Sequence, residues 1–169
     1  MNGSLSVSSP SPDCVPWQLR RDDLLFVLLP AGQKGLKVPG WNKVCNGRRW
    51  DNPILSAHIG GGGNVGMYPS PGSSLLLIDV DDADSFHAAG GADIVGDTYR
   101  YSAWDDRHKY RAIVTCNDIP DHFRGHKISI RDDDQRAILE LFFPVDNEKT
   151  SGQCVAPGSI HPDTGNRYE

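Results

Sequence analysis

The chain has 169 residues, of which 38% are hydrophobic, and a formal net charge of −5. These values predict one soluble globular domain, or two small lobes that share one core. The acidic balance argues against a protein that is basic along its whole length and wraps nucleic acid, but it leaves room for a local basic patch. No apolar run reaches the length that a membrane span requires, so we expect no membrane association.

Four widely separated cysteines are present: Cys14, Cys45, Cys116 and Cys154. They show no Cys-x-x-Cys spacing, which argues against a zinc knuckle and against a disulfide framework. We therefore expect a reducing, cytoplasmic location. Residues 1–16 are rich in Ser and Pro and lack the hydrophobic core of a signal peptide. We predict a flexible tail over 1–16 and a folded domain over 17–169.

The first part of the domain combines one apolar strand with a loop rich in Gly and Pro. Residues Trp17–Leu29 predict a short helix that leads into a strand over Leu25–Leu29. The loop Pro30–Trp41 follows and contains Lys34, which is either a solvated surface lysine or a phosphate-binding group. The next segment, from Arg48 toward Ile59, is predicted to be helical.

Gly61, Gly63 and Gly66 formally match a Gly-x-Gly-x-x-Gly motif. A dinucleotide-binding fingerprint must follow a strand and open a helix, whereas this segment continues into Met67–Gly72, whose prolines exclude a helix. A phosphate-binding P-loop would need Gly-Lys-Ser/Thr, which is missing. We interpret these glycines as positions where the backbone approaches another segment closely.

The most informative stretch is Ser74–Asp84, where a run of aliphatic residues leads into alternating carboxylates. The run predicts a buried strand. Because side chains alternate across a strand, Asp79 and Asp81 share one face of it. At about 6 Å and an effective dielectric near 20, two such charges repel by about 3 kcal/mol, which a bound cation relieves. The pair is typical of a Mg²⁺ site, although strand ends also carry Asp for turn formation and solubility.

The region after this strand predicts a short helix over Asp84–Gly91 and strands over Thr98–Ser102 and His108–Val114. On the second of these strands, His108 shares one face with every second residue that follows it. Its basic neighbours indicate a polyanion nearby, because guanidinium and imidazole groups suit phosphate oxygens. These neighbours are Arg107, Lys109 and Arg111.

Two further strands are predicted over Lys127–Arg131, with Ile128 and Ile130 pointing inward, and over Ala137–Phe143. Glu140 is the single charge in the second run. A glutamate there is costly to bury unless it is paired or binds a metal. We predict that Glu140 is the third carboxylate of the acidic cluster; the alternative is that it points off an open sheet face. The C-terminal segment predicts a strand and a Pro/Gly turn that projects Ser159 and His161 to the same side.

Taken in chain order, these features resemble the primase-polymerase domains of the archaeo-eukaryotic primase superfamily, especially those of plasmids, phages and integrated elements. The resemblance covers the chain from about Leu24 to the C-terminus. It rests on the Asp-x-Asp motif, on a strand-borne acid at Glu140, and on a Pro-x-Ser-x-His segment that contains Ser159 and His161. Asp106 stands where the family's second motif usually has serine before its histidine. The chain stops within an apparent strand, and we expect it to be a piece of a longer replication protein.

The resemblance implies an α+β fold with two lobes, in which an α/β lobe packs on a modified, RNA-recognition-like mixed sheet and the active site lies in the cleft. It also implies template-directed nucleotidyl transfer at a site with two Mg²⁺ or Mn²⁺ ions. The implied catalytic and metal-binding residues are Asp79, Asp81 and Glu140. His108 is implied to contact the phosphates of the incoming nucleotide, and the further implied nucleotide-binding residues are Lys34, Arg111, Ser159 and His161. Strand alternation, however, places Arg111 on the face opposite His108.

The expected partners are a single-stranded DNA template, a primer and (d)NTPs, and a downstream helicase region would be typical of such relatives. Two other functions stay open at this point. The same acids would serve a metal-dependent phosphodiesterase or phosphatase. Alternatively, the chain is a non-catalytic nucleic-acid or nucleotide-binding module in which the acids are relics or surface charge.

Overall fold

A computed structural model describes residues 14–103, 108–146, 148–150 and 152–169. Within these ranges the chain forms two sheets and a few short helices, which confirms the α+β class. Each strand pair in the described ranges is antiparallel, so the expectation of a mixed sheet is wrong. No helix in the same ranges has the length and apolar character that a membrane crossing requires.

The elements follow one another in a simple order. The strands are β1 (Leu24–Leu29), β2 (Asn64–Pro69), β3 (Leu75–Val80), β4 (Arg100–Tyr101), β5 (Tyr110–Thr115), β6 (Lys127–Arg131), β7 (Ala137–Phe142) and β8 (Cys154–Val155). The helices are α1 (Pro53–Gly60), α2 (Ala83–Ala88) and α3 (Gly91–Val95). A small sheet has the order β1-β2-β8, and a larger sheet has the order β4-β5-β3-β7-β6.

Strand β3 lies at the centre of the larger sheet and is apolar on both faces, because each face is covered. One face packs with Phe86 of α2 and Val95 of α3, and its β3 residues are Leu76, Ile78 and Val80. The other face, with Leu75 and Leu77, packs against side chains of the small sheet. The predicted alternation of β3 is therefore confirmed. The acidic side chains at the end of β3 project from the face that meets the small sheet.

Several predicted boundaries need correction. Arg48 does not begin a helix: its backbone exchanges two hydrogen bonds with Phe26 of β1, at 2.8 and 2.7 Å, which keeps it extended. Helix α1 instead begins at Pro53, where the Asn52 side chain accepts a hydrogen bond from the N–H of Ile54 and caps the first turn. The prediction that Ile130 points inward is also wrong. Its side chain is exposed on the edge strand β6, next to a shift in register between Ile130 and Arg131.

The glycine segment has the role that its sequence predicted. A Cβ on Gly66 would lie 2.9 Å from Cγ1 of Val27 on the neighbouring strand and would overlap the Gln153 amide. A Cβ on Gly63 would overlap the imidazole of His58. These glycines allow close approach of neighbouring segments and belong to no dinucleotide-binding turn.

The N-terminal boundary lies earlier than predicted. Val15 is buried in the core cluster between the two sheets, and the carbonyl of Pro16 accepts a hydrogen bond from Leu19. The packed part of the chain therefore begins before residue 17. Residues 1–13, the rest of the predicted tail, lie outside the described residues.

Candidate active site

The three predicted carboxylates lie on one face of the larger sheet. Asp79 on β3 is the direct antiparallel partner of Glu140 on β7 and of Arg111 on β5. Residues that face each other across such strands project to the same side, with Cβ atoms about 5 Å apart. Asp81 follows β3, and its N–H continues the ladder by donating to the carbonyl of Ile138 at 2.8 Å. Acids far apart in sequence thus meet at the end of the central strand.

Asp79 is paired with Arg111 in a largely buried position. Nη2 of Arg111 lies 2.8 Å from Oδ2 of Asp79, and the two side chains are 15% and 18% exposed. Burial raises the pKa of Asp79, and the neighbouring Asp81 and Glu140 add to this effect, while Arg111 opposes it. Burial alone would lower the pKa of Arg111, but Asp79 and other neighbours raise it overall. The guanidinium therefore stays protonated and favours the ionised form of Asp79, against the effect of burial.

Asp81 lies in a more open position with charges of both signs around it. Burial raises its pKa; Lys109 lowers it, Glu140 raises it, and Arg111 and Lys34 lower it. Lys109 belongs to this face because it lies two residues before Arg111. Burial is thus the largest cause of the raised pKa, and the charge of Glu140 adds to it. A cation placed among the acids would favour their ionised forms.

Glu140 turns toward the sheet edge. Its Oε1 lies 2.7 Å from Nζ of Lys127 and accepts a hydrogen bond from Oγ of Ser129 at 3.1 Å, both on β6. Within the described ranges, no three His, Cys, Asp or Glu side chains are grouped closely enough to hold a metal ion. The donor types and strand positions of Asp79, Asp81 and Glu140 fit Mg²⁺ or Mn²⁺, and Glu140 is paired with Lys127 in this structure.

Asp79 and Asp81 open onto a cavity of about 100 Å³ between the larger sheet and the segments that follow β1 and β8. Its lysine and arginine side chains come from the loop after β1 and from the start of β5. The remaining lining comes from the C-terminal segment and from a residue that follows β4. The residues that line the cavity with the two acids are Lys34, Ala103, Lys109, Arg111, His161 and Tyr168. The structure therefore brings together the predicted residues Lys34, Arg111 and His161. Such a cavity suits a phosphate group held beside carboxylates.

His161 has a fixed ring orientation in this cavity. Its Nδ1 accepts the N–H groups of Asp163 and Thr164, at 3.2 and 3.3 Å. In the neutral ring the proton must then be on Nε2, an assignment that follows from this hydrogen-bond pattern. The ring also packs against Tyr168, with centroids 5.7 Å apart. Nε2 is thus a hydrogen-bond donor in the neutral form.

His108 is not brought to the cavity. It precedes β5, its side chain is 75% exposed, and its Nδ1 lies 3.5 Å from Oδ2 of Asp84 on α2. The predicted strand start at His108 is therefore too early. Strand alternation explains the placement, because His108 and Arg111 have opposite parity along the same segment. The expected contact between His108 and nucleotide phosphates finds no support in this arrangement, and Asp106 lies outside the described residues.

Ser159 is also not part of the cavity lining. It is 2% exposed, and its hydroxyl accepts the N–H of Val65 at 2.9 Å and donates to the Val65 carbonyl at 3.2 Å. Its hydrogen-bonding capacity is thus used to attach the C-terminal turn to β2. The prediction that Ser159 and His161 project to the same side is corrected: only His161 lines the cavity.

Asn64 holds the two loops that supply Lys34 and His161. Its Nδ2 donates to the carbonyls of Gln33 at 3.0 Å and Ile160 at 2.7 Å, and its Oδ1 accepts the N–H of Ile160 at 2.8 Å. The side chain is buried. Asn64 therefore fixes the positions of Gln33 and Ile160, which directly precede the cavity residues Lys34 and His161.

Lys109 and Tyr168 line the cavity but were not among the predicted nucleotide-binding residues, although Lys109 was named as a basic neighbour of His108. Lys109 was detectable, because it shares the strand face of Arg111. Tyr168 was not, because its position depends on an isolated bridge to Ala103 and on the stacking of Arg111, whose Cζ lies 4.6 Å from the Tyr168 ring centroid.

Comparison of the sequence with protein-family models and with curated proteins finds no match. The functional assignment therefore depends on the arrangement of side chains around the cavity and on the motifs in the sequence.

Proposed function

We propose that this chain is a primase-polymerase domain that performs template-directed nucleotidyl transfer, and that its two sheets are the two lobes of that fold. The observation that carries the proposal is the pairing of Asp79 with Glu140 across β3 and β7, with Asp81 on the same face beside a cation-lined cavity. An acid trio next to positive side chains is the combination that phosphoryl transfer requires, because metal ligands and phosphate ligands must be adjacent.

The acids and the cations have separate tasks in this proposal. Asp79, Asp81 and Glu140 would hold Mg²⁺ or Mn²⁺, and two such ions supply stabilisation of the attacking 3'-hydroxyl and the leaving pyrophosphate. Lys34 and Lys109 bind the triphosphate oxygens of the incoming (d)NTP as point charges. His161 donates a hydrogen bond to the same group through Nε2. Arg111 orients Asp79, which the 2.8 Å hydrogen bond between them supports.

The proposed partners are a single-stranded DNA template and a primer in the cytoplasm. A helicase region downstream in a longer replication protein belongs to the same proposal. The formal net charge of −5 limits nucleic-acid contacts to local patches, and the cavity with its surrounding cations is such a patch.

A second candidate is a nucleotide-binding module without catalysis. The observation that favours it is that Arg111 and Lys127 already neutralise two of the three acids. In that case the carboxylates would stabilise the fold, and the remaining cations of the cavity would bind a nucleotide phosphate without a metal. Metal binding separates this candidate from the first.

The deciding experiment incubates the protein with an end-labelled primer on a template, dNTPs and Mn²⁺. We expect the primer to lengthen, and Asp79→Ala to reduce lengthening at least about a hundredfold, because loss of groups that merely support metal ligands already costs 10–100-fold. Asp118→Ala is the matched control, since Asp118 is an exposed acid in the turn after β5, and it should retain activity.

Other outcomes are equally clear. Undiminished lengthening by Asp79→Ala rejects the site. Metal-dependent shortening of the labelled strand, lost in the same variant, indicates a phosphodiesterase. If the strand length is unchanged and calorimetry shows no Mn²⁺ binding that Asp81→Asn abolishes, the binding module is the correct assignment.

A further inference from the structure

We infer that Lys127 and Ser129 form a latch on Glu140, which holds this carboxylate at the sheet edge until a metal ion replaces the lysine. The inference rests on the proposed function of the three acids. It gives a role in metal binding to two residues of β6 that neither the sequence motifs nor the cavity indicated.

The contacts of Glu140 define this Glu140 latch. The ammonium of Lys127 and the hydroxyl of Ser129 both contact the same oxygen, Oε1, at 2.7 and 3.1 Å. Ser129 is the direct cross-strand partner of Glu140, so its side chain lies on the same face by backbone geometry. The carboxylate therefore has a charged partner and a neutral partner on the side away from β3.

The Lys127 side chain packs beside Phe142 and Gly152. Its Nζ lies 5.9 Å from the centroid of the Phe142 ring. Gly152 provides the space, because a Cβ at that position would lie 2.9 Å from Cε1 of Phe142 and 3.3 Å from Cδ of Lys127. The lysine is thus positioned by packing as well as by its charge.

The lining of the cavity reflects this orientation of Glu140. Asp79 and Asp81 line it, whereas Glu140 does not, although its backbone lies directly opposite Asp79. The carboxylate orientation and not the fold therefore separates the third acid from the other two. A rotation of one side chain would bring the three together.

The latch is weak enough to open. The side chains of Lys127 and Glu140 are 35% and 24% exposed, and ion pairs near solvent contribute about 1 kcal/mol or less. A divalent cation between three carboxylates offers a stronger interaction than one ammonium. Metal binding would then exchange one cation for another at Glu140 and release Lys127 to solvent.

The test measures Mn²⁺ binding alone by calorimetry, without nucleotide or DNA. We expect Lys127→Met to tighten Mn²⁺ binding about fivefold, which corresponds to the loss of a competing ion pair of this exposure. Lys127→Gln, which keeps polarity without the charge, provides a second variant if the methionine form does not fold. Ser129→Ala should tighten binding less, and Arg131→Met, on the same strand but bonded to the Gln135 carbonyl, should leave it unchanged.

Removal of any nearby positive charge could favour a cation, so the latch needs a double-mutant control. In a Glu140→Gln background, Lys127→Met should no longer tighten binding, because the latched group is absent. The difference between Lys127→Met and wild type should also shrink at high ionic strength, where the exposed pair is screened.

Equal tightening with and without Glu140 overturns the latch but leaves the metal site intact. So does Lys127→Met binding no tighter than wild type while Asp79→Ala abolishes binding. If no variant and no wild-type protein binds Mn²⁺, both the latch and the proposed metal site are wrong.

Discussion

Arg111 donates a 2.8 Å hydrogen bond to Asp79 from the adjacent strand, and both side chains are largely shielded from solvent. Arg111 also stacks on Tyr168. The pair therefore connects the acidic end of β3 to the C-terminal segment. Arg111 therefore connects parts of the fold and also lines the candidate site.

The first prediction concerns Arg111→Met. Removing the guanidinium leaves a buried carboxylate without its partner, so we expect the free energy of unfolding at pH 7 to fall by about 3 kcal/mol. Urea unfolding measures this change. Arg100→Met is the control, since Arg100 is exposed on the edge strand β4, and it should stay within about 0.5 kcal/mol of wild type. A similar loss in both variants would show that the Arg111 pair has no special importance.

The second prediction concerns the pH dependence that Asp81 contributes. Burial raises its pKa in the folded protein above the ordinary value of 3.8, so between these two values the folded state binds more protons than the unfolded chain. The stability contributed by Asp81 is therefore full at low pH and decreases as the pH rises through the folded pKa. Asp81→Asn should be more stable than wild type at pH 7, by about 1 kcal/mol or less for a partly exposed group.

The measurement is urea unfolding of both proteins from pH 4 to pH 7. The advantage of Asp81→Asn should shrink as the pH falls through the raised pKa of Asp81, because the wild-type carboxyl then becomes protonated. A constant difference across the range would mean that the charge of Asp81 is not its cause. A less stable variant at pH 7 would mean that Lys109 and Lys34 outweigh burial.

Sequence patterns within single strands were sufficient to predict part of this site. Alternation along β3 predicted that Asp79 and Asp81 share a face, and the structure has them so. The cost of burying a charge selected Glu140 from its apolar run. The register between β3 and β7, which makes Glu140 the partner of Asp79, could not be read from either strand alone, because it is set by packing across the whole sheet.

The predictions that were wrong also have physical explanations. Ser159 and His161 are two residues apart and would share a face in a regular strand, but the segment after β8 turns, and Ser159 bonds to Val65 instead. The role of His108 was implied by the family resemblance, and its basic neighbours indicate a positively charged region but not the direction in which the side chain points. The pairing of Glu140 with Lys127 depends on side-chain orientation at the sheet edge, which strand alternation does not determine.

The third prediction concerns Asn64→Ala. The substitution leaves the carbonyls of Gln33 and Ile160 and the N–H of Ile160 without their side-chain partner in a buried position, and each unsatisfied buried group costs about 1–3 kcal/mol. We expect a loss of about 3 kcal/mol in urea unfolding, since water can reach part of the site. Asn117→Ala, at an exposed position in the turn after β5, is the control and should cost less. Hydrogen exchange should increase at residues 33–34 and 160–161, and unchanged exchange there would show that the loops are held by other contacts.

The fourth prediction separates the two histidines. His161 lines the cavity with its Nδ1 occupied by backbone N–H groups, whereas His108 is exposed beside Asp84 on the opposite side of the larger sheet. His161→Ala should therefore weaken binding of a fluorescent dNTP about tenfold, as expected for loss of one hydrogen bond to a charged group, and His108→Ala should change it less than twofold. The measurement is anisotropy titration with Mn²⁺ present, and His161→Gln should recover part of the affinity because its amide can donate a hydrogen bond. If His108→Ala has the larger effect, the segment before β5 must rearrange when nucleotide binds, and the cavity described here would not be the nucleotide site.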